Sequence, residues 1–323
     1  MRRLVAVCIA ATAALSGCGT AGTGDPLQVT DQLTAAAPAD SPPPAAAPAG
    51  TVIPAPPTSH LAFTAGTLAA AHDRTVDLRP ASALQAPPRS VPLPGPVASL
   101  NAGEDGRLLA AVPDADLVVR IDPATGATEP LHQPGGPVDA VSAPGGIAVA
   151  LRAGNTVQLP GGARAGGFNA PAPLVTAGGR VHVLDPLATS LTPLDPATGQ
   201  KEPALRAGSG ATHAVADRYG RVLAIDTRGG EFLAFGTDPL IMKQRYPVPG
   251  SPYGLAYDPA RDLAWTTLTA TNQLVAYDVA GGEPQERLRL PTVEQPDTAA
   301  VDPTSGTVFV ASADGAGIQV VTP

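Results

Sequence analysis

A turn followed by a short apolar strand recurs seven times along the chain, and that recurrence leaves few folds open. The turn glycines are Gly66, Gly106, Gly146, Gly179, Gly220 and Gly306, leading into runs such as Thr67-Leu68-Ala69, Arg107-Leu108-Leu109 and Thr307-Val308-Phe309. At a seventh place Asp262 precedes Leu263-Ala264-Trp265 without the glycine. Successive steps are 40, 40, 33, 41, 42 and 44 residues. A period near 40 is that of a four-stranded unit repeated around a ring, each unit burying a face it could not bury alone. A letter-for-letter repeat of five residues agrees with it: Asp122-Pro123-Ala124-Thr125-Gly126 returns as Asp195-Pro196-Ala197-Thr198-Gly199, 73 residues later, the length of two units. Each copy follows an apolar run and reads as a hairpin turn in which Asp caps, Pro presets φ and Gly takes φ > 0.

One unit can be read strand by strand between Ser251 and Pro291. Tyr253 to Tyr257 is an inner strand, Leu263 to Thr267 the second, Gln273 to Tyr277 the third and Glu286 to Leu290 the outer fourth. Other inner strands start near His60, Val97, Val138, Pro173, His213 and Asp297, with a poorly marked outer strand in the third unit, within Arg164 to Phe168. The seventh unit runs out of chain after three strands, and Thr51 to Ala55 stands where its fourth would be supplied. The chain is therefore expected to be all-β, a seven-bladed β-propeller of four-stranded antiparallel blades over residues 51–323, closed by that N-terminal strand in the last blade. Closure removes edges that would otherwise pair with other chains. The 35 Gly and 38 Pro suit many short strands joined by tight turns better than long helices.

Ahead of the repeats lie two segments of different character. Residues 1–17 combine a cationic Met1-Arg2-Arg3 with an apolar stretch from Leu4 to Leu15, which reads as a secretory signal peptide, too short for a spanning helix. Residues 18–50 are rich in Ala, Pro, Thr and Gly and include Ser41-Pro42-Pro43-Pro44, so they read as a disordered tether, reaching roughly 30 Å as a coil or about 90 Å if polyproline-like. With Cys8 in the leader, the mature chain keeps no second thiol for a disulfide.

Two resemblances rest on named residues. Leu15-Ser16-Gly17-Cys18 resembles a bacterial lipobox at all four positions, which implies cleavage before Cys18 and its acylation. Several acyl chains, at roughly 0.8 kcal/mol per buried methylene, make such an anchor durable. Pro252-Tyr253-Gly254-Leu255-Ala256-Tyr257-Asp258-Pro259 with Asn272-Gln273-Leu274-Val275-Ala276-Tyr277-Asp278, and Pro296 to Pro303 with Thr307 to Ala311, resemble the YVTN-type repeats of bacterial seven-bladed β-propellers. That resemblance implies the fold and says little of activity. Abundant Ala, Pro, Gly and Arg with very little Lys, together with the lipobox, point to an actinobacterial-type lipoprotein.

Chemistry in a propeller is sought where inner strands begin, at the channel. Those positions offer His60, Asp139, Thr212, His213, Tyr253 and Asp297. His213, Tyr253 and Asp297 are the catalytic candidates, and Cys18 is the lipidation site. A divalent metal needs three or four converging ligands, and Asp139, His213 and Asp297 lie on different blades. Resemblance to gluconolactonase-like propellers would imply a Glu, an Asn and Asp residues on separate inner strands, but Glu104 sits in a turn and Asn101 late in its strand. His213 and Asp217 are four apart on one strand face, with Asp217 placed to cap a turn. His72, His132 and His182 are assigned to solvent or to satisfied blade packing, and Trp265 and Phe309 to blade packing. Neither His-x-x-x-His, Gly-x-Ser-x-Gly nor a phosphate-binding glycine loop occurs. No metal site and no cofactor is assigned.

A net charge of −8 with scattered Arg disfavours nucleic acid as a partner. The resulting expectation is a monomeric, lipid-anchored protein on the extracytoplasmic face of the cell membrane. Its propeller would act as a binding or interaction scaffold in the cell envelope, toward a protein, glycan or small ligand, rather than as an enzyme. The alternative is a channel-located metal-dependent hydrolase or lactonase.

Overall fold

In the computed structural model, which describes residues 33–323, seven four-stranded antiparallel sheets close into a ring. Blades one to six run through the chain in order, inner strand to outer, and blade seven is completed from the other end of the sequence. Its inner three strands are Pro296–Val301, Val308–Ser312 and Ile318–Val321. Its outer strand is Thr51–Ile53, antiparallel to Ile318–Val321 with Thr51 opposite Val320 and Ile53 opposite Ile318. The Ile53 side chain is fully buried there, and burying one such side chain stabilises by about 1.5–3 kcal/mol. The propeller, its blade number and its closing strand are as the repeat spacing led one to expect. The weakly marked outer strand of blade three is Arg164–Ala165, only two residues long.

Between blades the apolar contacts fall into seven buried clusters, one per interface. Several second strands are rich in alanine, as in Ala69-Ala70-Ala71 and Ala110-Ala111, and small side chains let neighbouring sheets approach closely. At the closing interface Phe63 of blade one stacks on Phe309 of blade seven at 5.6 Å, and Ile53, Leu68 and Ile318 join them. The interface of blades two and three holds only Leu109, Val118, Ala140, Val149 and Leu151 in its buried core.

The repeated pentapeptide turns the chain from third to outer strand in blades two and four, on the face opposite the channel mouth. Asp122 Oδ1 accepts from the amides of Ala124 and Thr125, and Asp195 Oδ1 from those of Ala197 and Thr198. Gly126 and Gly199 both sit at φ +74°, which admits glycine far more readily than other residues. Asp302-Pro303-Thr304-Ser305-Gly306 makes the same turn with Gly306 at φ +79° between the first two strands of blade seven.

Residues 33–50 depart from the expected disordered tether. They form no strand, but they lie along the mouth face in hydrogen bonds with blades five, six and seven. Composition misses this because the groove engages their backbone, whereas disorder was read from the lack of apolar side chains to bury. The signal peptide and Cys18 lie outside the described residues. No helix among the described residues is long and apolar enough to cross a membrane.

Candidate functional site

Four consecutive blades, five, six, seven and one, each present a polar side chain at the first turn of the inner strand. These are His213 from Ala211–Ala216, Tyr253 from Pro252–Asp258, Asp297 from Pro296–Val301 and His60 from His60–Thr64. In blades five, six and seven the pairing of inner and second strands slips at that point: Ala211 pairs with Asp226 but His213 with Ile225, and Pro296 pairs with Ser312 but Thr298 with Ala311. Such bulges leave an extra residue unpaired and re-aim side chains, here toward the channel. They carry no sequence mark beyond the prolines that open two of the strands, Pro252 and Pro296.

The four side chains rim a cavity of about 680 Å³ whose walls include Leu61, Leu100, Val138, Leu174 and Leu255. That size and mixture match a small-molecule site, with apolar walls and a few convergent polar groups. The rings of His213 and Tyr253 meet edge-on, 4.6 Å between centroids at 75°. His213 Nδ1 lies 3.2 Å from Thr212 Oγ1, which is 2.7 Å from Thr227 Oγ1, and Thr227 donates in turn to the carbonyl of Pro252. This chain fixes the imidazole and leaves Nε2 open to the cavity. Among the described residues, the His60 ring nitrogens and the Tyr253 hydroxyl also have no hydrogen-bond partner.

Burial lowers the His60 pKa to about 4. It does the same for His213, also to about 4, with the nearby His60 adding to the effect. Both imidazoles are therefore neutral at pH 7. Burial raises the Asp297 carboxyl, opposed by a hydrogen bond from Gln295 Nε2 at 2.8 Å, and Asp314 raises it further. The Tyr253 phenol is raised by burial and then by Asp297, so it stays protonated. The mouth thus offers two neutral imidazoles and a phenol, each able to exchange hydrogen bonds, and one carboxylate.

The other inner-strand positions take different roles. Asp139 is buried, and its oxygens are already engaged: Oδ1 accepts from Asn101 Nδ2 of blade two at 2.7 Å and from its neighbour Ala140 N, and Oδ2 accepts from Leu174 N of blade four at 2.7 Å. It is a tie between three blades, not a ligand converging with His213 and Asp297. Asp217 caps its turn through the amides of Tyr219 and Arg221 and does not meet His213. Trp265 and Phe309 are buried in blade packing. Of the remaining histidines, His132 is exposed and His72 faces Asp77 at 3.3 Å. His182 corrects its assignment to satisfied packing: it is fully buried opposite Val175 of the neighbouring strand, and neither ring nitrogen makes a hydrogen bond of good geometry. Burial lowers its pKa to about 4. Among the described residues no three His, Cys, Asp or Glu side chains gather as a metal site would require.

No family model and no curated protein sequence matches the chain. Solved structures do. Hydrazine synthase of Kuenenia stuttgartiensis superposes with a TM-score of 0.69 at 14% identity, over 83% of this chain and 96% of that one. Virginiamycin B lyase of Staphylococcus aureus gives 0.67 at 14% identity, over 82% and 94%. A catalytically inactive histidine-to-alanine variant of that lyase with quinupristin gives 0.65 at 15% identity, over 85% and 95%. At such identities the likeness is one of fold. The chain is a seven-bladed β-propeller, and its chemistry has to be read from its own mouth.

Proposed function

We propose that this protein is a lipoprotein anchored through Cys18 to the extracytoplasmic face of the cell membrane, whose propeller binds an uncharged, hydroxyl- or amide-bearing ligand in the cell envelope. The observation that carries the ligand is the arc of His60, His213 and Tyr253. It consists of neutral groups with unpaired hydrogen-bonding atoms open to a cavity of about 680 Å³. A strongly anionic ligand would find Asp297 and no facing cation. A neutral one can trade hydrogen bonds with the imidazoles and lay a ring or methylene face against Tyr253. The anchor is supported by the lipobox and the apolar leader.

Calorimetric titration with a panel of neutral oligosaccharides and small amides tests the ligand. A hit should be lost in His213→Ala and weakened in Tyr253→Phe; binding that survives both substitutions refutes the site. Because His60 and His213 stay neutral down to about pH 4, affinity should be flat from pH 7.5 to 5.5. The anchor is tested separately, by palmitate labelling and membrane fractionation of the full chain against Cys18→Ala.

A second reading is favoured by one feature, the neutral His213 held by Thr212 with Nε2 open beside the Tyr253 phenol. Such a pair can serve as general base and acid on a substrate in the channel, and loss of a histidine inactivates the structurally similar lyase. Turnover of a bound ligand that stops in His213→Ala while binding persists would establish it. The metal-dependent hydrolase or lactonase version would require stoichiometric Ca²⁺ or Zn²⁺ in the purified protein, lost in Asp297→Ala.

A further inference from the structure

The segment 33–50 meets the mouth face through a small set of side chains that engage its main chain. Thr34 O accepts from Arg228 Nη2 at 2.7 Å, beside the turn between second and third strands of blade five. Gly210 leaves room for the passage, since a Cβ there would fall 2.9 Å from the Cβ of Ala36. The amide of Ala39 then donates to both Ser251 Oγ and Thr269 Oγ1 at 3.1 Å, and Ala39 O accepts from Gln295 Nε2 at 3.2 Å. The amide of Ser41 donates to Gln295 Oε1 at 2.9 Å, and Pro42 O accepts from Asn272 Nδ2 at 2.6 Å. One side chain of the segment is bonded as well: Ser41 Oγ donates to Thr269 O at 2.7 Å and accepts from Gln295 N at 3.1 Å. Asp40 and Pro42 to Ala47 are exposed.

The groove residues are placed for this by an unusual backbone. Ser251 and Gln295 occupy the same position in consecutive blades, directly before the proline that opens the inner strand. They sit at φ +57° and +49°, in the left-handed region that non-glycine residues seldom enter. Asn272 shares that region at φ +49°. Gln295 is buried, and its Nε2 is shared between Ala39 O and the Asp297 carboxylate, so one side chain joins the groove to the channel mouth.

We propose that the mouth-face groove of blades six and seven is a peptide-binding site for an extended segment. It reads that segment through main-chain amides and carbonyls and a single serine hydroxyl, and in this protein residues 39–42 occupy it in cis. Side-chain tolerance follows, because apart from Ser41 only the backbone is bonded and a Pro-rich segment is already extended before it binds. The inference is independent of the ligand proposed for the channel and of the anchor.

Hydrogen exchange on the full chain, read at the Ala39 and Ser41 amides, is the first arm. Both should exchange on the order of a hundredfold more slowly than in a free peptide. Protection at Ala39 should disappear in Ser41→Pro, which removes the amide and the hydroxyl together. In the second arm a fluorescent peptide with the sequence of residues 36–44 is titrated into wild type and Ser41→Pro. The variant, with its groove vacated, should bind the peptide. Wild type should not, the double variant Ser41→Pro/Gln295→Ala should not, and a peptide with Ala in place of the serine should bind roughly tenfold more weakly. Free-peptide exchange rates at Ala39 and Ser41 in wild type overturn the proposal. So does a Ser41→Pro chain that melts like wild type and takes up no peptide at millimolar concentration.

Discussion

The channel mouth divides into two arcs that use polar side chains in opposite ways. Across blades two to four the buried Asp139 is consumed by structure, bonding Asn101 on one side and Leu174 on the other. It lies beside the interface with the smallest apolar core, that of blades two and three. Across blades five, six, seven and one, packing is done by larger apolar groups such as Phe232, Trp265, Tyr277 and Phe309. There His60, His213, Tyr253 and Asp297 are left to face the cavity. At the thin interface of blades two and three a buried carboxylate helps to hold the ring, whereas in the other arc the polar groups at inner-strand starts face the cavity.

The largest test concerns what holds the second arc. A chain beginning at Thr58 lacks the Ile53 contact and the ladder to Ile318–Val321, and it should be about 5 kcal/mol less stable than one beginning at Gly50. Equal denaturation midpoints would show that closure contributes nothing. In the first arc, Asp139→Ala leaves the donors of Leu174, Asn101 and Ala140 without their acceptor and should cost about 4 kcal/mol by urea unfolding. Asp139→Asn, which keeps one acceptor oxygen, should cost less.

Acid should act on both arcs, through His182 in the first and through His60 and His213 in the second. In His182 of blade four, burial lowers the folded pKa from the ordinary 6.5 to about 4. Between those values the unfolded chain binds the extra proton, so stability falls as pH drops from 6.5 to 4, by up to about 3 kcal/mol for this residue. His182→Leu should remove one share of the fall in urea midpoint across that window and leave the shares of His60 and His213. The smallest effect is expected at the mouth itself. At pH 7, His213→Ala and Tyr253→Phe, on partly open groups with few structural bonds, should each shift stability by less than about 1 kcal/mol, the first removing ligand binding and the second weakening it. A large loss of stability in either would erase the distinction between the arcs.

Much of the fold was legible because its signals are local. A turn, its glycine and the apolar strand after it are neighbours in sequence, so their period counts the blades. Thr51 to Ala55, read as the fourth strand of the seventh unit, contains the strand Thr51–Ile53 that pairs with Ile318–Val321. The site was legible in part: His213, Tyr253 and Asp297 were read from position alone and do share one mouth with His60. Asp139 was grouped with them because sequence cannot show that its oxygens meet Leu174 and Asn101, 35 and 38 residues away. His182 was assigned to satisfied packing because its partners, or their lack, depend on neighbouring strands.

The sequence by itself determined seven blades and the turns that reverse the chain, since each follows from residues a few positions apart, and the closing strand by counting the strands those local signals supply. Only the tertiary structure decided which polar side chains remain unpaired at the mouth, and that residues 39–42 lie bonded across blades six and seven. The reason is physical. Whether a buried donor or acceptor is satisfied depends on groups brought near it from distant parts of the chain, and a backbone held by Gln295 and Ser251, more than 200 residues away, leaves no trace in its own composition.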